Sequence, residues 1–395
     1  MADGQVEAAA GVREGEILAG KYQVEKILGA GGMGVVVAAR HLQLDAQVAI
    51  KFLLPAMVEN QEAVSRFARE ARAAVKITSE HVARVLDVGT LENGAPYMVM
   101  EYLEGGDLAA WIRQRGAMPI EQAIDFVLQT CLAVAEAHAL GIVHRDLKPS
   151  NLFCVRRADG HLTVKVLDFG ISKVTALPAS GGPSFSGTQT STVMGSPLYM
   201  SPEQMTSARD VDSRTDIWAL GVILHELMTG AAPFQAGTLP ELCIRIATQP
   251  PARLRSVLPQ APARLEAVIL RCLKKDRNDR YRDVGELALA LSEFGHARAT
   301  ALAERTVGIL QGSGQSSDLS ATGAPLFPFS PGGATLTSPG SIPPFGGTNA
   351  GAKRRKTLGL VGLAGFVAVT AAALLFVRAR PGAPRVDDAR VAASP

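Results

Sequence analysis

The stretch His144-Arg145-Asp146-Leu147-Lys148-Pro149-Ser150-Asn151, followed 17 residues after Asn151 by Asp168-Phe169-Gly170, decides how the chain is read. Asp146 is a carboxylate that can accept a hydroxyl proton and orient the oxygen left behind. Lys148, two residues on, brings a positive charge suited to offsetting the negative charge that builds on a transferring phosphoryl group. Asn151 and Asp168 are oxygen donors of the type that holds magnesium. The run Thr163-Val164-Lys165-Val166-Leu167 is strand-like and leads straight into Asp168. Either motif alone is a weak signal; the pair in this order and at this distance is a specific one.

Working outward, Gly29-Ala30-Gly31-Gly32-Met33-Gly34-Val35-Val36 has the spacing GxGxxGxV. A dinucleotide-binding fold uses similar glycines, but there they open a helix. Here they lie between two strand-like segments, and glycines let a backbone close over phosphates with no Cβ in the way. Val35 to Ala39 and Gln47 to Phe52 read as short strands, the second carrying Val48-Ala49-Ile50-Lys51. A lysine buried in such a strand needs an anionic partner, and Glu70 in the helical segment Phe67-Ala68-Arg69-Glu70-Ala71 is the expected one. Ile120 to Leu140 and Asp216 to Met228 repeat apolar residues at three- and four-residue spacing, as amphipathic or buried helices do. Strands first and helices after predict an α+β fold with a β-rich first lobe and a helical second one.

On these motifs the chain resembles the eukaryotic-type protein kinases, specifically their bacterial serine/threonine branch, from about Tyr22 to Phe294. The resemblance implies the two-lobed protein kinase fold with ATP between the lobes. Asp146, Lys148, Lys51 and Glu70 take catalytic roles, and Asn151 and Asp168 hold Mg2+, for which Mn2+ can substitute. The nucleotide would contact Leu28, Gly29, Ala30, Gly31, Gly32, Met33 and Gly34 from the loop, and Val36, Ala49 and Lys51 from the strands. In Met100-Glu101-Tyr102-Leu103 it implies a hinge, with Met100 as gatekeeper, backbone groups of Glu101 and Leu103 on adenine, and Tyr102 shielding the ring edge. Met194-Gly195-Ser196-Pro197-Leu198-Tyr199-Met200-Ser201-Pro202-Glu203 resembles the end of an activation segment, although Ser196 stands where Thr is more usual and Ser201 replaces the commoner Ala. Glu203 should pair with Arg280, and Asp216 should brace the backbone of the 144–151 loop. Lys148 and the Ser196–Tyr199 segment point to serine/threonine rather than tyrosine acceptors. Thr188-Gln189-Thr190 matches the place where bacterial relatives autophosphorylate, which implies transfer in trans within a homodimer and pairing of the new charge with Arg145.

Two other classes are weighed. A pseudokinase scaffold would be expected to lack one of Lys51, Glu70, Asp146, Asn151 and Asp168, and all are present. A small-molecule phosphotransferase would lack the 194–203 peptide-docking segment.

Composition fits a folded core with an appendage. Of 395 residues, 47% are hydrophobic and 19% charged, and the net charge of +3 gives no reason to expect a nucleic-acid partner. The four cysteines form no CxxC pair and read as reduced, buried thiols. Residues 1–20 lack a basic start followed by an apolar run, so they read as a disordered N-terminus rather than a signal peptide. The kinase domain is expected over 21–294. Residues 295–352 should be a helical extension followed by a Gly/Pro/Ser/Thr-rich linker.

Thr357 to Val377 is 21 residues without a charge, flanked by Lys353-Arg354-Arg355-Lys356 and by Arg378 and Arg380. At ~1.5 Å per residue it covers ~30 Å, the thickness of a bilayer core, and reads as one transmembrane helix. Gly359, Gly362 and Gly365 share a face and favour close helix approach. Positive charges tie at four on each side, so the count alone does not orient it. The dense 353–356 cluster beside the helix, with ATP and protein substrates both cytosolic, leads to a single-pass inner-membrane protein. Its kinase domain would be cytoplasmic and residues 378–395 a short outer tail.

Overall fold

A computed structural model of the chain describes residues 12–30, 34–169, 196–206 and 211–318. The glycine-loop tip at Gly31, Gly32 and Met33, the Thr188/Thr190 pair and the apolar run 357–377 lie outside the described residues. Within the described residues no helix is long and apolar enough to cross a membrane. The described residues all belong to one compact unit.

The small lobe is a six-stranded antiparallel sheet in the order β1-β2-β3-β4-β6-β5. Its strands are β1 (Ile17–Leu18), β2 (Tyr22–Ala30), β3 (Gly34–His41), β4 (Ala46–Leu53), β5 (Val85–Thr90) and β6 (Pro96–Glu101). The valine-rich run of β3 alternates into a core of Val35, Val37 and Ala39 against Val48, Ile50 and Phe52 of β4, as pleated β-branched residues do. Gly34 is required where β3 starts: a Cβ there would sit 2.6 Å from the Phe52 carbonyl oxygen. Short α1 (Pro55–Val58) precedes α2 (Gln61–Ala74). Asn60 caps α2 by accepting from the Glu62 and Ala63 N–H groups, and Ala63, Phe67 and Ala71 form its buried stripe. Facing that stripe are Leu53 and Met98 of the sheet, so the helix face bearing Glu70 is turned toward β4.

The large lobe is helical around α4 (Ile120–Ala139) and α6 (Arg214–Thr229), both almost wholly buried. Gly221 of α6 lets the chain come close: a Cβ there would lie 2.5 Å from Cys272 Cβ. Trp218 of α6 stacks on Phe234 with centroids 5.7 Å apart. A three-stranded antiparallel sheet of β7 (Gly105–Asp107), β8 (Leu152–Arg156) and β9 (Leu162–Val166) lies at the lobe junction. There α3 (Leu108–Arg115) starts, capped by Asp107. The lobe is completed by α5 (Pro202–Thr206), α7 (Leu239–Thr248), α8 (Leu254–Val257), α9 (Ala263–Cys272), α10 (Val284–Ser292) and α11 (Ala299–Asp318). The sequence division at residue 294 falls between α10 and α11. Both helices pack on the same core, with Ala299, Ala303 and Thr306 of α11 buried.

Arg280 pins α5 to the lobe. Its guanidinium, with no exposed side-chain surface, forks onto Glu203 at 2.6 and 2.8 Å, as the sequence led us to expect. It also donates to the carbonyls of Lys274 (2.9 Å) and Arg214 (3.1 Å). Removing one partner of a buried pair strands the other charge, at about 3–5 kcal/mol. Arg280→Ala is therefore expected to lower the melting temperature by roughly 10 °C in a calorimetric scan, while Arg282→Ala, at an exposed pair with Asp283, shifts it by no more than about 2 °C.

Candidate active site

Lys51 sits mid-strand in β4, opposite Val36 of β3 and Met98 of β6. Its ammonium lies 2.7 Å from Glu70 Oε1 and 2.8 Å from Asp168 Oδ1. Burial works against the charge on Lys51, but the Asp168 and Glu70 carboxylates more than offset it and raise its pKa, so the group stays cationic. One ammonium thus faces two carboxylates, an arrangement that keeps local negative charge in reserve for a cation. Asp168 is held at φ 46°, in the left-handed region that residues with a Cβ rarely adopt, so this strand-to-loop exit is strained.

The loop carrying Asp146 is built around a buried carboxylate. Asp216, at the start of α6, accepts from the N–H of His144 (2.9 Å), the N–H of Arg145 (2.9 Å) and Nε2 of His138 (2.8 Å). Asp146 donates its N–H to His144 Nδ1 at 3.2 Å. That nitrogen must then be an acceptor, so His144 carries its proton on Nε2, which donates to the Leu167 carbonyl at 3.3 Å. Burial pushes the His144 pKa down, which keeps this bridge neutral. The Asn151 carbonyl in turn accepts from Leu167 N–H at 2.8 Å. Two hydrogen bonds therefore couple the 144–151 loop to the residue before Asp168. The His144 ring packs on Phe169, centroids 4.8 Å apart.

Lys148 Nζ donates to Asp146 Oδ2 at 3.0 Å. Asn151 Nδ2 donates to the Asp146 carbonyl at 2.9 Å and to Oδ2 at 3.3 Å. With its amide nitrogen so used, Asn151 has its amide oxygen left, the donor type a hard divalent cation takes. Asp146, Lys148 and Asn151 thus form one cluster, and Lys51, Glu70 and Asp168 another, joined through Leu167.

Between the lobes lies a cleft of about 1130 Å³. Of the expected nucleotide contacts, Leu28, Gly29, Val36 and Ala49 line its roof, and Met100, Glu101 and Leu103 its inner edge. Ala30 ends β2 and Gly34 begins β3. Ala83, Phe153 and Leu167 also line it and were not singled out from sequence. Phe153, two residues after Asn151, had a readable signal in its place on the strand leaving the loop. Ala83 had none, because it reaches the cleft only through a parallel bridge between Val82 and Val166.

A clamp at Glu101 was not foreseen from the sequence. Glu101 Oε1 accepts from Lys165 Nζ at 2.7 Å and from Arg84 N–H at 2.8 Å, and Glu101 N–H donates to the Arg84 carbonyl at 2.9 Å.

For Asp216, burial alone would push the pKa up. The hydrogen bond from His138, with the Arg145 N–H beside it, outweighs burial and leaves the carboxyl below its ordinary range. A lowered folded-state pKa gives stability that is present above the unfolded value, ~3.9, and is lost as pH falls through the folded one. Asp216→Asn is expected to lose about 1–3 kcal/mol, since Asn cannot satisfy all three donors. The melting-temperature gap to the parent chain should stay level from pH 8 to pH 5 and narrow only in more acid solution.

The protein kinase domain family matches residues 22–287, more than half of the chain. Serine/threonine-protein kinase pkn3 of Myxococcus xanthus is 39% identical over 269 residues, which is 67% of this chain and 48% of that protein. PknB of Mycobacterium leprae is 35% identical over 273 residues, 68% of this chain and 42% of the relative. The chain therefore spans about half or less of the length of these curated relatives. Among solved structures, the kinase domain of Mycobacterium tuberculosis PknI superposes with a TM-score of 0.55 at 28% identity, over 71% of this chain and 99% of that one. The paired clusters, the interlobe cleft and the match over residues 22–287 together place the chain in the protein kinase domain family.

Proposed function

We propose that the chain is a serine/threonine protein kinase that transfers the γ-phosphoryl group of ATP to protein hydroxyls. The observation that carries the reading is the convergence of Lys51, Glu70 and Asp168 within 2.8 Å contacts at one end of the cleft, linked through Leu167 to the Asp146–Lys148 pair. The residues fit ATP and a divalent cation. Asp168 and Asn151 are hard oxygen donors, and the cleft has an apolar roof with a glycine at the β3 entrance. Asp168 and Asn151 would hold Mg2+, or Mn2+ in its place, and the ion would supply positive charge to the phosphates. Lys51, positioned by Glu70, binds phosphate oxygens. Asp146 orients the acceptor hydroxyl and takes its proton, and Lys148 offsets charge on the transferring group. Serine/threonine acceptors are favoured by Lys148 beside Asp146 and by the serine/threonine kinase names of the bacterial relatives.

The purified chain should phosphorylate a generic basic protein with ATP and Mg2+. Lys51→Met, Asp168→Ala and Asp146→Asn should each lower kcat by at least about 10²–10³-fold. The same reactions, digested and read by mass spectrometry, should carry phosphate on Thr188 and Thr190 in the parent chain and none in Asp146→Asn. Mixing active and Asp146→Asn chains should label the latter in trans, through a homodimer. Near-normal transfer by any of the three variants would sink the assignment, and an unmodified 184–192 segment in active enzyme would remove autophosphorylation.

The uncharged run Thr357 to Val377, against its 353–356 basic cluster, supports a single-pass anchor in the cell inner membrane with the kinase domain cytoplasmic, for signalling at the membrane. Carbonate washing should leave the protein in the membrane pellet. External protease on spheroplasts should remove a C-terminal tag and spare the kinase domain; the reverse pattern overturns the orientation, and release by carbonate overturns the anchor.

A further inference from the structure

Arg145 immediately precedes Asp146 and is held at φ 65°, a left-handed conformation that a residue with a Cβ keeps only under restraint. Both of its peptide groups are gripped by side chains from outside the loop. Its N–H donates to Asp216 Oδ1 at 2.9 Å, and its carbonyl accepts from Gln204 Nε2 at 2.9 Å. The peptide plane between Arg145 and Asp146 is therefore fixed at both ends, its oxygen by Gln204 and its N–H by His144 Nδ1. The other end of the Gln204 amide accepts from the N–H of Ser201 at 3.0 Å and from its hydroxyl at 3.3 Å. A carbonyl can only accept and an N–H only donate, so these partners leave the amide one orientation. Ser201, wholly buried, also shares a 2.6 Å hydrogen bond with the hydroxyl of Thr215, the residue before Asp216. Asp216, Arg145, Gln204, Ser201 and Thr215 thus close a ring.

We propose that Gln204 is a positioning residue for phosphoryl transfer: it sets the peptide plane that aims Asp146, and makes that aim depend on the seating of residues 201–204. The inference rests on the kinase reading above, in which Asp146 orients the acceptor hydroxyl. Gln204 is not among the residues that line the interlobe cleft, so its effect should fall on turnover rather than on nucleotide affinity.

The test compares Gln204→Glu with Gln204→Leu in the full chain. Glutamate keeps the size and the oxygen that accepts from Ser201, but when ionised it cannot donate to the Arg145 carbonyl; when protonated it can. At pH 8 both variants are expected to lose about tenfold in kcat, the effect of one stranded buried acceptor, with the KM for ATP unchanged. As pH falls to 5.5, the ratio of Gln204→Glu to the parent should recover while that of Gln204→Leu stays flat. Hydrogen exchange in residues 142–148 should be faster in both variants at pH 8 and return to the parent rate in Gln204→Glu at low pH. A kcat within twofold of the parent in folded Gln204→Glu at pH 8 overturns the proposal, as does a loss with no pH recovery and unaltered exchange. If Gln204→Leu does not fold, the pH series on Gln204→Glu decides. A parent chain that transfers no phosphate overturns the kinase reading instead, and the exchange comparison still tests the clamp.

Discussion

The structure turns on a carboxylate that water does not reach. Asp216 lies at the N-terminal end of α6, in the middle of the large-lobe core, and takes two consecutive backbone N–H groups from a loop that has no ladder of its own. Buried polar groups must be satisfied, so the loop and the helix define each other: without the loop Asp216 would be an uncompensated charge, and without Asp216 the loop would expose two orphaned donors. His138 on α4 gives the third hydrogen bond, which ties both long helices to the same point. Everything that Asp146, Lys148 and Asn151 do in space is referred to this anchor.

The second dependency runs across the lobes. The segment after α2 is built into the large lobe, since His81 accepts from the Val166 N–H, Ala83 donates to the Val166 carbonyl, and His81 Nδ1 lies 2.9 Å from the Val164 carbonyl. The helix carrying Glu70 is therefore rooted in the strand that delivers Asp168. The Glu101–Lys165 pair adds a charge-assisted tie from the end of β6 to the same strand. Lys51 can meet both carboxylates only when the sheet, α2 and β9 keep this relation, so its short contacts report the placement of three elements.

Helix α11 lies beyond the matched family region yet buries Ala299, Ala303 and Thr306 on the core of α4 and α10. Its entry is secured by Arg298, which forks onto the buried carboxylate of Asp125. Farther along, Arg305 reaches Glu80 at 3.4 Å, an exposed pair that contributes little by itself. Hydrophobic burial, not the surface ion pair, is what holds this extension.

Local chemistry was legible in the sequence wherever residue type and spacing carry the information. A valine run made β3, alternating Val48, Ile50 and Phe52 made β4, three- and four-residue apolar spacing made α4 and α6 within a residue or two, and the order of Lys51, Glu70, Asp146, Asn151 and Asp168 pointed to the family. The pairs Lys51–Glu70 and Glu203–Arg280 could be anticipated because each unlike charge needed a partner in a motif already recognised. Contacts between unlabelled residues could not. Lys165 and Glu101 are 64 residues apart, and Gln204 and Arg145 59 apart. The same side chains would be solvated surface groups in most folds, and nothing in their neighbours marks them. Sequence by itself determined which charged and polar residue types stand at each motif position; only tertiary structure decided the peptide plane at Arg145 and the joining of the two clusters through Leu167, because a buried hydrogen bond forms only where packing has already excluded water from both of its ends.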